Sequence, residues 1–229
     1  MSADFFSLAG RGCCLQRTDP QPRQLLLYPA GEHEGDSFLR LFSLLEAEAR
    51  SPFALATFRV RDWNRELSPW EASPVFGQED FGRGAPETLA FLEQALLPEL
   101  RRRLSLPEGA EIILGGYSLA GLFSLWCGCQ TGTFDRIAAM SPSVWFPGWI
   151  DWARSHPFCM KSAYLSLGDR EEKAKNPVLA QVGECIRAQQ RLMEAVGIPS
   201  KLEWNPGNHF SQPTERCARG FLWCMNSDN

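Results

Sequence analysis

The stretch that decides the fold runs from Ile113 to Trp126 and reads "ILGGYSLAGLFSLW". Apolar residues lead into Gly115, Gly116 and Tyr117, Ser118 follows, and a glycine-free apolar run extends from Leu122 to Cys127. A short, continuous apolar segment bounded by glycines reads as a strand buried on both faces, and the run behind it as a packed helix. Ser118 therefore falls at a strand-to-helix turn, with small residues two places before it (Gly116) and two after it (Ala120). Small residues are needed there because the two backbones nearly collide. Gly116 to Ala120 fits the G-x-S-x-G pattern, in which a strained turn exposes a serine hydroxyl as a nucleophile. The fit has one departure: Ala120 replaces the last glycine, and Gly121 follows one place later. The other reading of these residues is a packed turn whose serine caps the helix.

Working outward, apolar runs predict strands at Gln24 to Ala30, Phe53 to Val60, Glu111 to Gly116, Arg136 to Pro142, Ala163 to Gly168 and Lys201 to Asn205. Helical patterns lie between them. Phe38, Leu41, Phe42 and Leu45 share one face, behind the possible cap residues Asp36 and Ser37. A second helix starts near Pro86 and carries Leu89, Leu92, Leu96 and Leu100, with Pro98 expected to kink or divide it. A third runs from Pro177 to about Val196 and stops at Gly197. "TERCARGFLWCM" (Thr214 to Met225) predicts a last one. Alternating strands and helices imply an α/β fold: a three-layer α/β/α sandwich around a mostly parallel sheet, with reactive groups gathered at the carboxyl ends of the strands. Arg61 to Gly84 has no period, yet holds Trp63, Trp70, Phe76 and Phe81, and reads as an ordered, functional loop.

The 229 residues show no linker, repeat or low-complexity segment, so one domain over residues 1–229 is expected. Net charge is −4 with signs interspersed, and the longest basic block is Arg101 to Arg103, which argues against a nucleic-acid partner. That triplet suits the negative end of a helix. No run approaches the roughly 18 apolar residues of a membrane span. The N-terminus, with Asp4 and only a short apolar patch, lacks the pattern of a signal peptide. A cytoplasmic location is expected. The eight cysteines lack metal or redox spacing and read as buried small apolar residues in a reducing compartment.

A nucleophilic serine needs a base held by a carboxylate, in the chain order Ser, acid, His. Two histidines follow Ser118. His156 precedes a predicted strand, whereas His209, in "NPGNHF", directly follows the last one. The acid falls in "LSLGDREEK", where Glu171, Asp169 and Glu172 follow the preceding strand; Glu171 is preferred, then Asp169. Oxyanion donors are expected at the Leu119 amide and at an amide after the first long strand, where Ala30, Gly31 and Glu32 are candidates. His33 in that loop is a candidate for lining the pocket. Trp63, Trp70, Trp145, Phe146 and Trp149 are candidate aromatic walls of a substrate site.

With "GGYSLAGL" at the turn, "SPSVWF" (Ser141 to Phe146), "SLGDREEK", "GNHF" and the "SPW" at Ser68 to Trp70, most of the chain resembles one esterase group of the α/β-hydrolases. That group includes esterase D and the feruloyl and siderophore esterases, with mycolyl transferases among its relatives. The resemblance implies a Ser118, acid, His209 site that hydrolyses small or medium esters without a metal or organic cofactor and without a large cap domain. It leaves room for a thioesterase, acyltransferase or peptidase using the same site, or for a non-catalytic binding protein on this scaffold. Oligomeric state is not readable from these residues.

Overall fold

The computed structural model describes residues 3–75 and 77–227. Its strands are β1 (Asp4–Leu8), β2 (Arg11–Arg17), β3 (Gln24–Gly31), β4 (Phe53–Val60), β5 (Glu111–Tyr117), β6 (Arg136–Met140), β7 (Ser162–Gly168) and β8 (Ser200–Asn205). They lie in one sheet in the order β1-β2-β4-β3-β5-β6-β7-β8. The six from β4 to β8 in that order run parallel, and β2 is antiparallel to both of its neighbours. The helices are α1 (Ser37–Glu48), α2 (Trp63–Leu67), α3 (Ala85–Phe91), α4 (Leu97–Leu104), α5 (Leu119–Gln130), α6 (Trp149–Arg154), α7 (Pro177–Ala180), α8 (Val182–Ala195) and α9 (Pro213–Asn226).

Both faces of the central strands are covered, which is why their sequences are continuously apolar. Along β3, Leu25 and Leu27 enter the core shared with α3 to α6 and α8. Leu26 and Tyr28 point the other way, into the core shared with α1 and α9. The result is the expected three-layer α/β/α sandwich. Six cysteines (Cys13, Cys14, Cys127, Cys129, Cys217 and Cys224) are buried in it, and burial pushes the Cys13 and Cys14 thiols up to about 11. They behave as small apolar residues, as their spacing implied.

Several elements depart from the expectation for local physical reasons. The hairpin β1–β2 was not expected, because its turn is Ala9-Gly10, with φ of +47° and +75°. Two positive φ values suit a tight hairpin turn, but asparagine or glycine at the first position is the usual sign of one. Pro98 has no N–H to donate. The helix accommodates it with a wider π turn at Leu92–Leu96 between α3 and α4. The expected third helix is divided at Gln181 into α7 and α8. Within Arg61 to Gly84, α2 is capped by Asp62, which accepts from the Arg65 amide, and Ala72 pairs with Phe81. Phe76 and the side chain of His33 lie outside the described groups. Arg101 to Arg103 occupy the last turn of α4.

Strand order locates the site. From β3 the chain moves outward to β4, then returns to the other side of β3 as β5. The helices that follow β3 and β5 also lie on opposite faces, since α1 packs in one core and α5 in the other. Such a reversal opens a crevice beyond the carboxyl ends of the two strands. Extending the β3–β5 register four residues past its last pair, Leu27 with Leu114, sets Gly31 level with Ser118.

Candidate active site

Ser118 stands between β5 and α5 with φ +58° and ψ −121°. A non-glycine residue in this conformation costs on the order of 1–3 kcal/mol and persists only where its surroundings impose it. The imposing contacts are close. A Cβ on residue 116 would lie 2.5 Å from the Ala120 carbonyl carbon and 2.6 Å from the Ala120 methyl. Gly116 therefore provides the room that lets alanine stand at 120. Ser118 occupies the N-cap position of α5, yet its hydroxyl makes no capping bond. This removes the reading of a serine kept for capping.

The hydroxyl faces an imidazole instead. Ser118 Oγ lies 3.0 Å from His209 Nε2, and His209 Nδ1 lies 2.7 Å from Glu171 Oε2. An ionised carboxylate can only accept, so Nδ1 carries the proton and Nε2 presents its lone pair to the serine. The Glu171 side chain is 5% exposed and that of His209 32%. Burial alone would push the Glu171 carboxyl up; bonds from His209, the Gly168 amide and Ser141 outweigh it and hold it below its ordinary 4.5. Gly168 N–H and Ser141 Oγ both donate to Glu171 Oε1, at 2.7 and 2.8 Å.

The other carboxylates of this turn do different work. Asp169 Oδ1 accepts from the Gly207 amide at 2.9 Å, a bond that commits it to the loop after β8, while Glu171 takes the imidazole. Its amide donates to Asn205 O, and the Arg170 amide to Gly207 O, so the turn after β7 is laced to the loop after β8. Glu172 pairs with Arg187. His156 stacks on Trp152, with Nδ1 2.7 Å from its carbonyl.

Leu119 opens α5, so its amide is among the four at a helix N-terminus with no intrahelical acceptor. Gly31 N–H donates to Glu34 Oε2 at 2.7 Å, and buried Ala30 pairs in register with Arg59. Ser118, Glu171 and His209 share a cleft of about 510 Å³ with Trp145, Phe210, Leu179 and Val182, and with Arg170 and Lys173 at its rim. Of the candidate aromatic walls, Trp145 lines this cleft. Trp63 lines a separate groove with Arg61 and Glu79. Trp70 packs against Phe146, Trp149 and Trp152, and Phe146 and Trp149 are core residues. Their aromatic surface is spent on packing, which sequence alone does not distinguish from a pocket wall.

Among the lining and supporting residues that the sequence does not single out, Phe210 and Arg216 are in contact with the triad. Phe210, 85% exposed, stands edge-on to the His209 ring. Arg216, on α9, reaches Glu171 Oε1 at 3.0 Å while buried in the sandwich. Adjacency to His209 pointed to the first; nothing in "TERCARG" marks the second.

No protein-family model and no curated protein matches the chain. Solved structures do. An IroE-like serine hydrolase from Shewanella oneidensis is 15% identical with a TM-score of 0.80, over all of this chain and 82% of that one. The siderophore hydrolase EstA from Aspergillus nidulans is 17% identical with a TM-score of 0.76, over 98% and 94%. The enterobactin esterase FES from Shigella flexneri is 17% identical with a TM-score of 0.73, over 98% of this chain and 59% of that one. At such identities the likeness is one of fold, and it is the fold of the α/β-hydrolases.

Proposed function

We propose that the protein is a serine carboxylesterase acting on small or medium esters through an acyl-enzyme on Ser118. The observation that carries this reading is the bonded chain from Ser118 Oγ through His209 to Glu171, set on a strained turn. The shared fold with serine hydrolases and siderophore esterases supports it.

Ser118 Oγ attacks the ester carbonyl carbon as its proton passes to His209 Nε2. The carbonyl oxygen becomes an oxyanion beside the Leu119 amide, with the Ala30–Gly31 end of β3 supplying the second donor. Gly31 serves there by exchanging the Glu34 carboxylate for the oxyanion, one anion for another. The carbon–oxygen bond to the alcohol then breaks, and the Nε2 proton goes to the departing oxygen. Water next attacks the acyl-enzyme, giving its proton to Nε2, and collapse releases the acid and returns the proton to Ser118 Oγ. Glu171 remains ionised throughout and opposes the imidazolium charge. Every step is served by side chains and amides, with neither metal nor organic cofactor.

The cleft favours an apolar or aromatic acyl group between Trp145 and Phe210, with an anionic end near Arg170 and Lys173. Neither of these cations has an ion-pair partner among the described residues, and the only carboxylate in the lining, Glu171, is committed to Arg216 and His209. The six buried thiols fit a cytoplasmic location; no described helix is long and apolar enough to cross a membrane. The test is turnover of a nitrophenyl ester panel by the protein and by Ser118→Ala and His209→Ala. Both substitutions are expected to lower kcat by several orders of magnitude, leaving only the residual rate of roughly 10³–10⁴ over water that oxyanion donors and binding sustain, and near-parental activity in Ser118→Ala rejects the mechanism.

A further inference from the structure

The segments that carry the three site residues converge on one buried side chain. Arg216 is 1% exposed, and its guanidinium meets five acceptors. Nη1 faces Glu171 Oε1 at 3.0 Å, Ser141 Oγ at 3.1 Å and the Tyr117 hydroxyl at 3.0 Å. Nη2 donates to the carbonyls of Pro206 at 3.2 Å and Asn208 at 3.0 Å. Those carbonyls belong to the loop that delivers His209. The Tyr117 hydroxyl donates in turn to the His209 carbonyl at 2.7 Å, and Tyr117 immediately precedes Ser118.

Taking a guanidinium out of water is costly, and apolar residues of similar volume often stabilise a core as well or better. An arginine buried here and aimed wholly at the site therefore calls for a role beyond filling space. Its planar fork offers donors at fixed angles, which ties several acceptors in one geometry in a way that a lysine ammonium does not. With Oε1 of Glu171 engaged by Arg216, Ser141 and Gly168, the carboxylate can turn only Oε2 to the imidazole.

Resting on the serine-hydrolase reading above, we propose that Arg216 is the positioning residue of the site, holding the Glu171 carboxylate and the backbone around His209 in the one arrangement that brings the imidazole to Ser118. It touches neither substrate nor reacting atoms. Its removal should therefore cost turnover rather than substrate binding.

Arg216→Ala, Arg216→Lys and Tyr117→Phe are compared with the parent for thermal unfolding, for kcat and KM on a nitrophenyl ester, and for labelling rate with a fluorophosphonate. A folded Arg216→Ala is expected to lose on the order of a hundredfold in kcat and labelling rate, with KM within about threefold of the parent. Added methylguanidinium, which fits the vacated space, is expected to restore roughly tenfold of that loss and to do nothing for Ser118→Ala. Tyr117→Phe keeps the ring and loses one bond, and a smaller kcat loss at unchanged KM is expected. A folded Arg216→Ala with kcat close to the parent, or a loss that methylguanidinium does not move, overturns the proposal. If Arg216→Ala does not fold, Arg216→Lys decides: a kcat loss at unchanged KM supports the role, and parental kcat overturns it. An inactive parent, or near-parental activity in Ser118→Ala, would instead count against the hydrolase reading itself.

Discussion

Glu171 and Asp169 are two residues apart, yet they meet different partners: one holds the imidazole and the other a backbone amide. Glu171→Gln keeps the shape but offers an amide where an acceptor is needed, which favours the wrong imidazole tautomer. A comparable change in a serine protease triad costs about 10⁴ in kcat. We expect Glu171→Gln to lose at least about 10³ in kcat by the same logic. Asp169→Asn still accepts from Gly207 and should stay within about tenfold of the parent. The reverse ranking, read from initial rates, would reassign the acid. Acid stability gives a second check. Because the Glu171 carboxyl titrates below its ordinary 4.5 when folded, its stabilisation is fully present above that pH and is lost as pH falls through the lower folded value. The unfolding free-energy gap between parent and Glu171→Gln should therefore shrink as pH falls below 4.5; a gap that widens there contradicts the assigned geometry.

At the scale of elements, the β5–α5 turn depends on the space left by Gly116. Overpacking of a core typically costs 1–3 kcal/mol, and here the obstruction is backbone, which cannot rotate away. Gly116→Ala is expected to lower the denaturant midpoint by an amount at or above that range, and an unchanged midpoint would show that the elbow is looser than described. The central strands were legible because burial on both faces leaves an unbroken apolar run. The hairpin β1–β2 was not, since β1 is a mostly exposed edge strand and Ala9 conceals the turn. Pro98 announced a break in its helix, but the π turn that absorbs it leaves no sequence mark. The same division holds at the site. Ser118 and His209 could be read from their positions after strands, and the carboxylate only as a short set of alternatives, because side-chain direction after β7 depends on the fold. Arg216 resembles any helical arginine until α9 is seen packed on the sheet.

For the whole molecule, the sign of the cleft runs against the net charge. The chain carries −4, while the rim of the cleft presents Arg170 and Lys173. Exposed ion pairs are each worth about 0.2–1 kcal/mol, so both together give roughly two- to thirtyfold. A nitrophenyl hemiester with a free carboxylate should accordingly be preferred over its neutral analogue of equal length, and Arg170→Gln with Lys173→Gln should erase that preference without touching the neutral ester. Salt should weaken the preference in the parent, and a salt-insensitive preference would remove the electrostatic argument. The central claim, that Ser118 is a nucleophile activated by His209, is tested most directly by covalent capture. After exposure to a fluorophosphonate, intact-mass and peptide analysis should find one adduct per chain, on Ser118, formed far more slowly in a folded His209→Ala. A folded parent that takes up no label, or takes it elsewhere, would contradict the account.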